Sequence, residues 1–439
     1  MDRKDLNVIF LSVYLMILFS AEFAVLNMQK TIISSIHDER PDFKVEGYFV
    51  TGIAYTVFSV SVWLAPSIIS VLGARSSMAL ATIGYIFYLM AFNIEEAWTM
   101  YTGAVVVGVS EALLWTSQGH YLVTNSEPHT VNRNLGIFWV IFSSAELYGN
   151  IFVYYKLEGK KYIDAETRKT VIYVMSSIAA ASLLMFTVLG GSKDTEDHKE
   201  GPVQALKRTW HIFNTPDMRV LLITFMFIGM QQAFRSGIYS ASVGFTLKFG
   251  DSAKQLVVLS GVFLGTGELV GGVYQIWLSG WTKRHMFGQC WVLGTGLLCQ
   301  LVAYTTMCLN LPADSVFGNT LDQSYLDPSA VLAMMCSFLL GFADCCCHTQ
   351  VYSLMAVMFP EDSSQTCAIY KFTKGLMVAL MFYCSNHLNL HQQAAVLGPC
   401  AVIANIAFYK VTKNVVRAVS QQGNNDLQLE TIKKDISAS

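Results

Sequence analysis

"GSKDTEDHKEGPVQALKRTWHIFNTPD", residues 191–217, is a long hydrophilic stretch set in the middle of a chain that is otherwise mostly apolar. On both sides the sequence breaks into apolar runs close to the roughly 20 residues a helix needs to cross a bilayer core of about 30 Å. Six candidate spans precede the stretch, at 6–28, 47–71, 76–94, 98–121, 135–156 and 170–190. Six follow it, at 218–241, 256–279, 286–309, 329–352, 366–387 and 392–411. The runs lack the short alternating pattern of a barrel, so the fold class is an all-α membrane protein of twelve transmembrane helices in two six-helix bundles. The expected organisation is an N-terminal bundle over 1–190, a central cytoplasmic loop over 191–217, a C-terminal bundle over 218–411 and a mobile hydrophilic tail over 412–439.

Composition agrees. The 439 residues are 53% hydrophobic and 14% charged, against about 25% charged in a soluble domain. The bilayer is therefore the first partner, and a net charge of −2 gives nucleic acid no electrostatic footprint. The opening "MDRKDLNVIFLSVYLMILFSAEFAVLN" reads as a retained first helix, its apolar run exceeding the roughly 7–15 residues of a signal peptide. All ten cysteines lie between Cys290 and Cys400, within apolar stretches, which is unlike a secreted disulfide framework. With both termini in the cytoplasm, sixteen of the 29 Lys and Arg fall on the inner side and ten on the outer; Arg235, Lys371 and Lys374 fall inside spans.

The two bundles carry a faint repeat. A shift of 233 positions lays "GVSEALLWT" (108–116) over "GFADCCCHT" (341–349), matching Gly108 with Gly341, Glu111 with Asp344 and Thr116 with Thr349. The matched spans run in the same direction, the relation expected of parallel repeats about an axis along the membrane normal.

Charged side chains inside spans are costly, about 2.5–3.5 kcal/mol each on insertion scales, so they collect where water, a solute or a counter-charge awaits them. Eight occur: Glu22, Glu111, Glu146, Arg235, Glu268, Asp344, Lys371 and Lys374. None falls in spans three, six, nine or twelve, which are therefore expected at the periphery. Helical spacing groups Glu111 with Gln118, Ser143 and Glu146 with Asn150, Gln231 and Gln232 with Arg235 and Tyr239, and Asp344 with Cys347 and His348. These stripes are expected to line one cleft holding a small solute or ion and its coupling proton. The plainer alternative is internal pairing that fixes bundle geometry. Span eight, "SGVFLGTGELVGG", holds two Gly-x-x-x-Gly pairs, Gly261/Gly265 and Gly267/Gly271, suited to close helix packing, and Glu268 is assigned to that packing face.

No metal or cofactor is expected. Asp344, Cys347 and His348 share a face, but consecutive cysteines on a helix diverge and no second ligand cluster accompanies them. No phosphate loop, zinc-protease helix or nucleophile elbow is present, so no catalytic residue is assigned and the chain is not expected to be an enzyme.

Twelve spans in two parallel halves resemble the major facilitator superfamily, which implies a central cavity lined mainly by spans one, four, seven and ten. The superfamily's Gly-x-x-x-Asp-Arg latch is absent: the loop between spans two and three reads "PSIISVLGARSSM", and "SGWTKRHMFGQ" between eight and nine keeps only a basic pair and glycines. "GYFVTGIAYTVFS" (47–59), "LLWTSQGHYLV" (113–123), "RNLGIFW" (133–139), "LSGVFLGTGELVGG" (259–272) and "LLGFADCCCHTQVYSLM" (339–355) are similar to the uncoordinated-93-like family, and within it to the branch called major facilitator superfamily domain-containing protein eleven. The resemblance implies either a solute carrier, with Glu111 and Asp344 at its midplane, or a non-transporting accessory protein for a channel or receptor. It names no substrate, and the membrane, plasma or internal, stays open.

Overall fold

The computed structural model describes residues 3–126, 131–160, 162–190, 202–285, 287–360 and 362–438; the first part of the expected central loop, 191–201, lies outside them. The N-terminal half comprises α1 (Arg3–Glu39), α2 (Gly47–Ser61), α3 (Ala65–Leu72), α4 (Ala74–Ile94), α5 (Ala97–Thr124), α6 (Val131–Ser143), α7 (Ala145–Lys156) and α8 (Ala165–Ser182). After α9 (Pro202–Phe213), the C-terminal half comprises α10 (Pro216–Ala233), α11 (Tyr239–Phe245), α12 (Ala253–Arg284), α13 (Gly288–Asn310), α14 (Ala330–Met358), α15 (Ser363–Cys384) and α16 (Leu390–Ala438). Among the described residues ten helices are long and apolar enough to cross a membrane, or up to twelve if two bent pairs each count as one span. The protein is an integral, multi-pass membrane protein.

Several elements differ from the sequence expectation, each for a local reason. Span two bends by 68° between α2 and α3, where Pro66 at the start of α3 cannot donate a helical hydrogen bond. Span seven is preceded by a sharper turn of 87°, at Asn214-Thr215 before Pro216. There the end of the expected loop is a helix, α9, with Leu206 and Trp210 exposed and Arg208 paired to Asp362. The tail expected to be mobile continues α16 to Ala438. Between Val411 and Ala438 it has no proline and one glycine, so nothing in its backbone chemistry stops the helix.

The two ends of the bundle differ. At the end away from the termini, Arg168 is 2% exposed and pairs with Glu39 at 2.8 Å and Glu95 at 3.0 Å. Glu95 has a positive φ of 54°, rare for a side chain with a Cβ, and its two ligations hold it there: Arg168 on its carboxylate and Arg40 on its carbonyl. The long loop after α13 reaches across this end. Thr320 exchanges backbone hydrogen bonds with Phe245 and Leu247, Lys254 donates to Gly244 and Asn319, and Tyr48 of the other half donates to Val316 at 3.1 Å.

In the turn before α8, the Lys160 ammonium and the Thr167 hydroxyl hold the Asp164 carboxyl down at about 2. A depressed carboxyl contributes stability above its unfolded value of about 3.9 and loses it as pH falls toward the folded value. Asp164 is half exposed, so the contribution is small. Amide exchange in the first turn of α8 is expected to accelerate on acidification through that window, and in Asp164→Asn to be fast on both sides of it. Equal protection throughout means that the contacts of Asp164 with Lys160 and Thr167 do not hold that turn.

The halves meet chiefly along two seams, and α1 also lies against span seven and α12 of the other half. α2 lies against α15, where a Cβ on Gly52 would come within 2.5 Å of the Tyr383 ring and one on Gly375 within 2.5 Å of Ser59. α7 lies against α12. The expected peripheral spans, α4, α8, α13 and α16, pack within their own halves.

Candidate functional site

Asp344 and His348 stand one turn apart on α14, so they share a face. Asp344 Oδ1 lies 3.1 Å from Arg235 Nε and 3.6 Å from His348 Nε2. The same guanidinium reaches Glu268 on α12, Nη1 to Oε1, at 2.9 Å. Arg235 sits in a π-turn, Phe234–Ile238, a one-turn widening of the helix that often marks functional sites. His348 Nδ1 is 2.7 Å from the Tyr370 hydroxyl. A neutral imidazole protonated on Nε2, toward Asp344, accepts the Tyr370 proton at Nδ1. All three ion-pair partners are sheltered, with side-chain exposures of 12% for Arg235, 16% for Glu268 and 6% for Asp344.

The N-terminal half joins this network at Glu146, which is 4% exposed. Asn150 donates to the Glu146 carbonyl at 2.7 Å and approaches its carboxylate at 3.4 Å, while Asn27 donates to Asn150. Arg235 and Asp344 both act on Glu146 across the seam. The seam is this close because α12 has no side chains there: a Cβ on Gly265 would lie 2.5 Å from Glu146 Cβ, and one on Gly261 2.5 Å from Asn27 and 2.6 Å from Asn150. Gly267 and Gly271 press instead on α14, at Phe338, Phe342 and Cys345. The two glycine pairs thus serve two neighbours, and Glu268, assigned from sequence to the packing face, reaches the ion-pair network from between them.

A second group stands beside the first. Lys371 donates to the Trp115 carbonyl at 3.1 Å, from C-terminal half to N-terminal half. Lys374 lies over the Tyr370 ring, 5.8 Å from its centroid. Both lysines act on Glu111, and Glu111 acts on Glu22. Gln118 is buried two turns along α5 from Glu111. Gln231 is wholly buried one turn before Arg235, and neither of its amide atoms has a hydrogen-bond partner.

The structure therefore gathers the expected charges into two adjoining groups. Tyr239 leaves its stripe and donates to the Ala333 carbonyl, tying span seven to α14. Asn27, Tyr55 and Tyr370 belong to the site but were not singled out from sequence, since an Asn or Tyr in an apolar helix carries no periodicity of its own. The three consecutive cysteines diverge: Cys345 meets Gln275 and Gly271, Cys346 packs on Gly296, and Cys347 faces Gln300. They serve close helix packing.

Two bundles joined along these seams, with Glu146 of one half set against the ion pairs of the other, share their fold with solved transporters. The nucleoside transporter NupG superposes with a TM-score of 0.64 at 13% identity, over 94% of this chain and 100% of that one. The Escherichia coli fucose:proton symporter FucP superposes at 0.60 and 11% identity, over 93% and 99%. These likenesses establish the fold.

Residues 43–409 match the family described as "Ion channel regulatory protein UNC-93", and the chain belongs to that family. "UNC93-like protein MFSD11" of Xenopus laevis is 32% identical over 433 residues, covering 93% of this chain and 96% of the relative. "Protein unc-93 homolog A" of Homo sapiens is 23% identical, covering 95% and 96%.

Proposed function

We propose that this protein is a solute carrier working by alternating access, with both termini in the cytoplasm. One observation carries the proposal: Arg235 is held between Glu268 and Asp344, 2.9 and 3.1 Å away, at the seam where Glu146 of the opposite half closes on Gly265. Arg235, Glu268 and Asp344 move together with the C-terminal half while Glu146 belongs to the other, so rocking of the halves changes whether that fourth charge faces the network. That change is how binding energy at a midplane site drives a carrier from one state to the other. His348 and Tyr370 extend the network toward a proton path.

Glu111→Gln and Asp344→Asn are each expected to abolish uptake while leaving folding and membrane targeting intact, since Arg235 keeps Glu268 in the second variant. Uptake is read in proteoliposomes across a broad panel of labelled solutes. An absence of flux for every member of that panel sinks the carrier.

The second reading is an accessory protein for a channel, and the family's description as ion channel regulatory favours it. It expects a membrane-protein partner that co-purifies and loses surface activity when this chain is deleted. Under that reading the Arg235 network is a fixed strut.

A further inference from the structure

Where α1 and α2 of one half face span seven of the other, the buried polar atoms left without partners include two acceptor oxygens, one from each half. The Tyr55 hydroxyl accepts from Gln232 Nε2 at 3.2 Å, across the seam. This uses the amide's donor end and leaves Gln232 Oε1 buried with no hydrogen bond. On α1, Glu22 Oε2 is likewise buried and unpaired. Tyr55 and Tyr85 both lie in the fields of Glu22 and Glu111. The nearby cations serve other groups than Glu22: Lys371, bonded to the Trp115 carbonyl, and Lys374, over Tyr370, act on Glu111, and Arg235 is held by Glu268 and Asp344.

Buried acceptors without donors are unfavourable until something supplies N–H groups, and the Glu22 carboxylate favours a supplier that is positively charged. An ammonium group has three donors, a full charge and no acceptor, and tyrosine faces attract it further. We propose that Glu22, Tyr55 and Gln232 form the subsite for the ammonium group of an amine-bearing solute. This reading rests on the carrier proposal and names its substrate class. Because Gln232 comes from one half and the other two residues from the opposite half, the subsite is complete only while the halves are closed on it, so the ligand's release is tied to their separation.

The test is thermal unfolding of the purified full-length chain in detergent, titrated with butylamine and putrescine. Butanol and butanediol serve as donor-poor counterparts, and NaCl and KCl as inorganic cations at equal ionic strength. The amines are expected to raise the melting temperature with saturation, and the alcohols and salts are not. Glu22→Gln and Gln232→Met are each expected to weaken amine affinity about tenfold or more, the loss of one charge-assisted or buried hydrogen bond. Glu158→Gln, which removes an exposed loop charge, is expected to change nothing. Both subsite variants must elute as single species, and if one fails to fold the other decides. Equal responses to amines and alcohols, a response reproduced by salt alone, or an undiminished amine response in the folded variants overturns the subsite. Saturable amine binding without amine flux in proteoliposomes keeps the subsite and removes the carrier. Flux of a non-amine solute that Glu22→Gln leaves untouched removes the subsite and keeps the carrier.

Discussion

Arg235→Met is expected to lower the stability of the protein by about 3–5 kcal/mol, the usual cost of removing one partner from a buried ion pair. Arg235 is the counter-charge to Glu268 and Asp344 together, and neither carboxylate has enough exposure to be rescued by water. Losing the guanidinium leaves two acids facing one another, with Glu146 as a third across the seam. The loss should be visible as a fall in melting temperature in detergent. Neutralising the orphaned acids as well, in Arg235→Met/Glu268→Gln/Asp344→Asn, is expected to recover most of it, because a buried network exchanged whole for neutral groups is often close to break-even. The pair of measurements separates two accounts of the site. A single variant that melts like the parent means the acids find other compensation and Arg235 is no keystone. A triple variant that melts as low as the single means the side chains matter by shape and not by charge.

Much of this was legible in the sequence, and the reasons differ from residue to residue. Lipid repels ionised groups from every span alike, so Glu111, Glu146, Arg235, Glu268 and Asp344 had to turn inward whatever the details of packing. The two glycine pairs of span eight announced close helix approach because only a missing Cβ permits it. Partner choice was not legible. Spacing on α14 places His348 beside Asp344, but that Tyr370 would take its other nitrogen depends on how α15 is rotated, which no single helix encodes. Nor does periodicity reveal the π-turn that aims Arg235, since the sequence through Phe234–Ile238 contains no proline and a single glycine. The bends at Pro66 and Pro216 had a visible cause, yet the extent of each bend is set by what the next helix packs on.

Gly341→Val and Gly267→Val are expected to be among the most damaging changes that leave every charge in place. A Cβ on Gly341 would lie 2.0 Å from the Leu264 carbonyl oxygen, and one on Gly267 2.1 Å from that of Phe338. These obstacles are backbone atoms of helices anchored at both ends, so they cannot swing aside as a side chain does. Relief requires α12 and α14 to separate. Overpacked cores typically lose about 1–3 kcal/mol when side chains can yield, and a backbone clash lies at or beyond the upper limit. Separation has a second consequence, because Arg235 reaches Glu268 on α12 and Asp344 on α14 simultaneously. Moving the helices apart stretches one of these pairs, so the steric and electrostatic losses should couple. In a double-mutant cycle, Gly341→Val and Arg235→Met are expected to fall short of additivity, the second change removing an interaction the first has already weakened. Gly272→Ala is the control on the same helix: nothing lies within 4 Å of its added Cβ, and alanine is the better helix former. It should melt at or slightly above the parent temperature. If Gly272→Ala and Gly341→Val are equally harmful, then glycine's flexibility, and not the contact between α12 and α14, is what the helix requires.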